Sequence, residues 1–430
     1  MSAAESKATF FKQSGWLVIA TSMSGAFLMA VYPILGKLPS EEVGIYVSLL
    51  RLFTLLGIGA AGLQIVMAQD AAAAINDELK LRLAATVRAV AKGVFALWLL
   101  MLLICAPLQE QIVSTFKITN ALAVWVTMGL VLMQLLLPFV QGLLQGMQNF
   151  AWLGWSIMLN GAARVLAIAV AVILLKGHSA AALTGALFGM GAAVFAGYWP
   201  SRPLFKLRGG TFRWFDWLKR LVPLSAGVGS VLVVMNADML FIQAHFPSDQ
   251  SKFYAAVAMV GIGLVTFTTP MASVMFPKLV TSVAKGQRSN SFMLALAGTA
   301  LLGIFGALVC TFLPELPLRI LFFNKPEFWI SSQLIPWFMW CMLPVTVANV
   351  MVSDLLAKRR FAVVPFLVVI AAAYCWTIQQ YLASAPTEDH FTVFKGVIQR
   401  LGLFATFLLL AAAAFSFLGS QSAHSKTQAK

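Results

Sequence analysis

The chain has 430 residues, 60% of them hydrophobic and 10% charged, with a mean hydropathy of +0.87 and a formal net charge of +15. A soluble domain carries about 25% charged residues, so this composition leaves too little polar side chain to cover a water-facing exterior. Apolar runs of about 20 residues or more recur from Gly15 to Gly419. They are continuous rather than alternating, which selects α-helices over a β-barrel as the structure that satisfies its own backbone in lipid.

In chain order, spans are predicted at 13–36, 42–69, 88–108, 119–143, 151–175, 179–200, 221–245, 253–277, 291–313, 328–353, 362–383 and 393–418. The first run, Gly15 to Leu35, is too long for the apolar core of a cleaved signal and is expected to stay as span 1. Twelve spans put both termini on one side. With that side cytoplasmic, 20 of the 30 Lys and Arg residues fall in cytoplasmic segments, 7 in outer segments and 3 (Arg51, Arg164 and Arg400) inside spans. The expected location is therefore the bacterial inner membrane, multi-pass, with N- and C-termini cytoplasmic. The positive charge is a topology signal and does not indicate a nucleic-acid partner.

The longest polar connection, 201–220, is read as a cytoplasmic amphipathic linker in which Phe212, Trp214, Phe215 and Trp217 alternate with Arg213, Lys219 and Arg220. It divides the chain into an N-terminal six-helix lobe (1–200) and a C-terminal one (221–418), followed by a cytoplasmic tail (419–430). A shift of 208 positions aligns Tyr46 with Tyr254 and Met67 with Met275, and Leu137-Pro138 corresponds to Leu343-Pro344. Repeats with an even number of spans share one orientation and are related by an axis along the membrane normal. The expected fold class is thus an all-α polytopic membrane protein of about 12 transmembrane helices, in two six-helix bundles around a central cavity.

Cys105, Cys310, Cys341 and Cys375 lie in or beside spans with no CxxC pair, and the four histidines show no metal-ligand spacing. No metal site and no organic cofactor are expected. Gly57-Ile-Gly-Ala-Ala-Gly62 and Gly227-Val-Gly229 suit close helix packing or hinges, and Pro138, Pro270 and Pro344 suit kinks.

An ionisable residue inside a span costs at least about 2.5–3.5 kcal/mol on insertion scales, so each one needs a reason. Arg51 lies about ten residues into span 2, roughly 15 Å deep at 1.5 Å per residue, and Arg164 is similarly deep in span 5. Such guanidinium forks suit bidentate binding of a diphosphate; the alternative is pairing with helix carbonyls or snorkelling. Arg400 is shallower and can reach the outer interface. In Val234-Met-Asn236-Ala-Asp238, a carboxylate beside an amide suits Na+ or a proton, or else Asp238 lies near the helix end, solvated or paired with Arg164 or Arg400. Asp70 and Asp354, at cytoplasmic span ends near Lys80 and Lys358, read as interfacial.

Tyr46 with Gln64-Ile-Val-Met-Ala-Gln69, then Gln141-Gly-Leu-Leu-Gln-Gly-Met-Gln-Asn-Phe150, then Asn236-Ala-Asp238 with Phe253-Tyr254, resembles the MOP exporter superfamily. The polysaccharide (O-antigen-type) flippase branch is the most similar. The resemblance implies two helical bundles forming a V and a lipid-linked oligosaccharide carried on polyprenyl diphosphate as substrate. It implies translocation from the cytoplasmic to the outer leaflet by alternating access, coupled to Na+ or H+. Arg51, Arg164 and Arg400 would then bind substrate, and Asp238 with Asn236 the coupling cation. Membrane lipids and other polysaccharide-assembly proteins are the implied partners.

A MATE-like drug or cation antiporter shares the architecture, but span 1 lacks the acidic residue that often serves its prokaryotic members. A membrane glycan polymerase or ligase needs a large outer catalytic loop. The loop 384–390 offers only Glu388, Asp389 and His390, and reads as a polar turn. The chain is therefore expected to be a transporter and not an enzyme.

Overall fold

A computed structural model describes residues 3–60, 62–263, 265, 291–385 and 389–428. The described residues are mostly helical, with no strand among them. Helices α1 (Ala3–Leu35), α2 (Ser40–Leu56), α3 (Leu63–Ala72), α4 (Asp77–Cys105), α5 (Gln109–Thr115), α6 (Leu122–Gly146), α7 (Phe150–Ala169) and α8 (Ser179–Lys206) come first. They are followed by α9 (Trp214–His245), α10 (248–263), α11 (Ser291–Phe312), α12 (Leu316–Leu321), α13 (Ile335–Ala357), α14 (Val364–Ser384) and α15 (His390–Gln428).

Among the described residues, ten helical segments are long and apolar enough to cross a membrane, and each falls on a predicted span. The ninth predicted span coincides with α11, whose apolar stretch is Leu296–Phe312. The eighth is described only as far as residue 265, so Met275, Pro270 and Lys278 lie outside the described residues. Leu103 and Ile104 on α4, Leu166 on α7 and Phe305 on α11 are more than half exposed, as lipid-facing side chains should be.

The chain divides within α9 into two compact units, Met1–Ser225 and Ala226–Lys430. Of the segment 201–220, residues 201–206 form the last turns of α8 and 214–220 the first turns of α9. In unit 1, α7 packs on α1 and α8, and α6 packs on α3 and α8. In unit 2, α13 packs on α11 and α15, and α14 on α15. The unit 2 core is aromatic: Tyr254 stacks edge-on with Phe338 and Phe394 at 6.0 and 5.4 Å, and Phe246 with Phe394 at 5.0 Å.

The second span is discontinuous. Helix α2 stops at Leu56, a 3-10 turn occupies Gly57–Ala60, and α3 begins at Leu63. A break inside lipid exposes backbone polar groups that need partners. The Ser225 hydroxyl supplies two, accepting from Gly62 N at 3.2 Å and donating to the Gly59 carbonyl at 3.0 Å. Broken helices of this kind form ion and substrate sites in transporters.

The stretch from Gln141 to Phe150 has a local explanation. A Cβ at Gly142 would strike the Gln64 carbonyl of α3, and one at Gly146 the Ala68 carbonyl, so these glycines let α6 and α3 touch along their backbones. Gln64 and Gln145 join across the seam at 3.3 Å. Gln148 turns the chain at φ +56°, and Asn149 caps α7 by accepting from Trp152 N at 3.4 Å. Gly142→Val should therefore separate α6 from α3. A sharp fall in monodisperse, membrane-inserted protein on size-exclusion chromatography is expected, and wild-type yield and thermal stability would contradict the packing account.

Candidate functional site

In unit 1, buried charge gathers at the middle of the spans. Arg51 of α2 is 4% exposed, and Arg164 of α7 is partly buried. Tyr32 of α1 lies within electrostatic range of both guanidinium groups, and the buried Tyr46 of α2 within range of Arg164. Arg164 donates to the Asn160 amide oxygen one helical turn away at 3.1 Å. That partner is neutral, so it orients the guanidinium without cancelling its charge. Helix α8 fixes the position from behind: a Cβ at Gly189 would strike the Arg164 backbone, so only glycine admits α8 this close to α7. The result is a pair of cations framed by phenols, an arrangement suited to a polyanion.

Two acidic groups at the ends of spans in unit 1, Glu42 and Asp70, are occupied structurally. Glu42, 4% exposed, accepts from the Thr119 hydroxyl at 2.6 Å and from Ser179 N at 3.0 Å, with His178 at 3.8 Å. It thereby caps α8 from a distant segment. Asp70 pairs bidentately with Arg220 at 2.8 and 3.2 Å, whereas Lys80 pairs with Asp77 at 3.0 Å. Asp70 thereby forms a tie between α3 and α9.

In unit 2, Asp238 of α9 is 1% exposed and accepts a 2.6 Å hydrogen bond from the Tyr254 hydroxyl of α10. The phenol of Tyr374, on α14, is within electrostatic range of Asp238. Its hydroxyl is buried and has no hydrogen-bond partner among the described residues. Asn236 turns its amide to the Leu232 carbonyl at 2.7 Å. Arg400 donates to the Gly396 carbonyl at 3.0 Å and lies 3.5 Å from the centre of the Tyr381 ring. These are local interactions that account for its place in a span. Asp354 meets Lys358 at 2.6 Å.

The outer turn before α15 is structural as well. Asp389 takes the Thr392 hydroxyl at 2.6 Å and the Thr392 amide at 3.2 Å, and these bonds hold its carboxyl below the usual range. Glu388 lies outside the described residues. No group of three or more His, Cys, Asp or Glu suited to a metal ion occurs among the described residues.

Sequence reasoning found the charges and missed their phenols. Yet the chain has 33 phenylalanines and only 6 tyrosines, and five of the six (Tyr32, Tyr46, Tyr254, Tyr374 and Tyr381) attend Arg51, Arg164, Asp238 or Arg400. That scarcity was the available signal.

Two helical membrane units, each with charge buried inside its spans, define a polytopic helical membrane protein. No family model and no curated protein matches the sequence. Among solved structures, an inward-facing multidrug resistance MATE family transporter of the MOP superfamily is similar at TM-score 0.66 and 12% identity, covering 95% of this chain and 99% of that one. The lipid II flippase MurJ in an inward closed conformation is similar at TM-score 0.63 and 13% identity, with 92% and 87% coverage. A MOP superfamily transporter from Pyrococcus furiosus, described as having a binding pocket of reverse polarity, gives TM-score 0.61 at 13% identity, with 95% and 97% coverage. The fold is therefore that of the MOP superfamily transporters over nearly the whole chain.

Tyr254→Phe removes the phenol from Asp238 and leaves the buried carboxyl short of a donor. A loss of about 1–3 kcal/mol is expected for removing one hydrogen bond from a buried carboxyl, read as a lower Tm in detergent. Tyr198→Phe, at a position 41% exposed, should change nothing. Equal Tm values for both variants would remove the Asp238–Tyr254 bond from the account.

Proposed function

We propose that this protein is an alternating-access flippase that moves a polyprenyl-diphosphate-linked oligosaccharide from the cytoplasmic to the outer leaflet for surface polysaccharide export. The observation that carries this reading is the pair Arg51 and Arg164, both embedded in spans of one unit and both within range of Tyr32. Placing two cations in lipid is costly, and a diphosphate with several anionic oxygens is a ligand that repays the cost. Arg164 keeps its charge because the partner that orients it is an amide. Likeness to a lipid II flippase supports a lipid-linked cargo. The diphosphate-linked cargo, rather than a cationic drug, is argued from the two arginines.

Coupling is assigned to Asp238, with Asn236 two residues away. A carboxyl bonded to a phenol in an aromatic core releases or takes a cation at high energetic leverage, since the local dielectric is low. Either Na+ or H+ satisfies that chemistry. Arg400 is kept as a subsidiary substrate contact that would have to leave Gly396 and Tyr381 to serve.

A drug or cation antiporter is the second reading, favoured by the equal likeness to MATE transporters. It predicts a cationic cargo, which two wall arginines would repel.

In proteoliposomes loaded with a fluorescent polyprenyl-diphosphate oligosaccharide, Arg51→Ala and Arg164→Ala should each slow flipping about tenfold or more, the equivalent of one charged hydrogen bond. Arg51→Lys should recover only part of the rate, because an ammonium keeps charge and loses the fork. Full activity of Arg51→Ala at normal expression would end the diphosphate assignment.

A further inference from the structure

Unit 1 contains a second charged site that the transport reading does not use. A cavity of about 510 Å3 lies among the end of α3, the start of α4, the segment 207–213 and the first turns of α9. Arg82, Arg213 and Arg220 line it, together with Asp70, Asp216 and Trp217. Arg220 is committed to Asp70 by two bonds. Arg82 and Arg213 are held loosely by comparison. Arg213 reaches Asp216 at 3.6 Å and Arg82 reaches Glu78 at 2.7 Å, with all four side chains at least 60% exposed. Exposed pairs of this sort contribute little, so either guanidinium exchanges its partner at little cost.

Trp217 points to a missing acceptor. It is 4% exposed, and its indole Nε1 has no hydrogen-bond partner among the described residues. Buried indole N–H groups normally find an acceptor. Phe212, Trp214 and Trp217 stack edge-on around it at 4.9–6.1 Å, which holds the ring in place.

The surroundings say what supplies the acceptor. Residues 70–92 and 201–220 carry ten cationic side chains against four acidic ones. Along the same first turns of α9, Trp214, Phe215 and Val222 are 43%, 71% and 57% exposed, and Lys219 sits 4.1 Å from the Phe215 ring centre. Apolar and aromatic surface adjoining basic side chains is the pattern found at the headgroup level of a membrane, and basic pockets between membrane helices take anionic headgroups.

We propose that this cavity binds the phosphate headgroup of an anionic membrane phospholipid. Arg82 and Arg213 take the phosphate oxygens, the Trp217 indole donates to a headgroup oxygen, and the acyl chains run along Trp214, Phe215 and Val222. The lipid would thereby brace the Asp70–Arg220 tie between α3 and α9.

The test uses the full-length protein in neutral detergent, titrated with phosphatidylglycerol, with phosphatidylcholine of the same chains, or with inorganic phosphate, while Tm is followed. Phosphatidylglycerol should raise Tm by several degrees and phosphatidylcholine should not. In the Arg82→Ala, Arg213→Ala double variant the half-saturating phosphatidylglycerol concentration should rise about tenfold or more. Trp217→Phe, which keeps the ring and removes the donor, should weaken the response to a smaller extent. An equal shift with both lipids, or an unchanged titration in the double variant, would overturn the proposal. The same shift with inorganic phosphate would also overturn it, by assigning the site to a soluble anion. Native mass spectrometry of the wild type gives an independent reading that does not depend on variants folding. Retention of phosphatidylglycerol over phosphatidylcholine is expected, and equal retention contradicts it.

Discussion

Everything in this structure depends on one constraint: in a lipid environment no polar group goes unpartnered cheaply. The constraint makes the chain helical, because a helix satisfies its own backbone. It also decides where each exception is placed. At the break in span 2, the Ser225 hydroxyl answers two of the backbone groups freed between Gly57 and Leu63. Where a carboxyl enters the core of unit 2, Tyr254 answers it. An arginine on α15 is met by a carbonyl below and a ring beside it.

Against that background, the proposed function rests on charge that is oriented but not neutralised. Arg400 is absorbed by its surroundings, as are Glu42, Asp70 and Asp354. Arg164 is different: an amide orients it, and phenols rather than carboxylates lie around it. Asp238 stands between the two cases, since its phenol partner can stay bonded whether the carboxyl is charged or protonated. As the proposed coupling group, Asp238 would need that tolerance, because it would have to exist in both states without unfolding its site.

The fold was readable in advance because hydropathy is a local property that lipid enforces residue by residue. Ten predicted spans coincide with membrane-length helices, and a further one with α11. The stretch around Gly142 was equally visible, though its meaning differs from what a motif suggests. Gly142 and Gly146 let two backbones touch, and Gln148 with Asn149 turns the chain. What the sequence did not show was pairing. Asp70 has Lys80 nearby in sequence yet meets Arg220, 150 residues later. The Ser225 bridge spans a similar separation. Partners across such distances are set by helix packing, which no single-chain pattern encodes. The tyrosines were the exception, since an amphipathic ring that is rare in so apolar a chain marks the places where polarity is needed.

The central claim, that the buried arginines serve a diphosphate-linked cargo crossing the membrane, is tested most directly in cells. The measurement is the pool of polyprenyl-diphosphate-linked oligosaccharide with and without this protein. The account predicts that completed lipid-linked intermediates accumulate in its absence, while the corresponding surface polymer disappears. An unchanged pool, accompanied by new sensitivity to cationic drugs, would contradict it and leave Arg51 and Arg164 without their ligand.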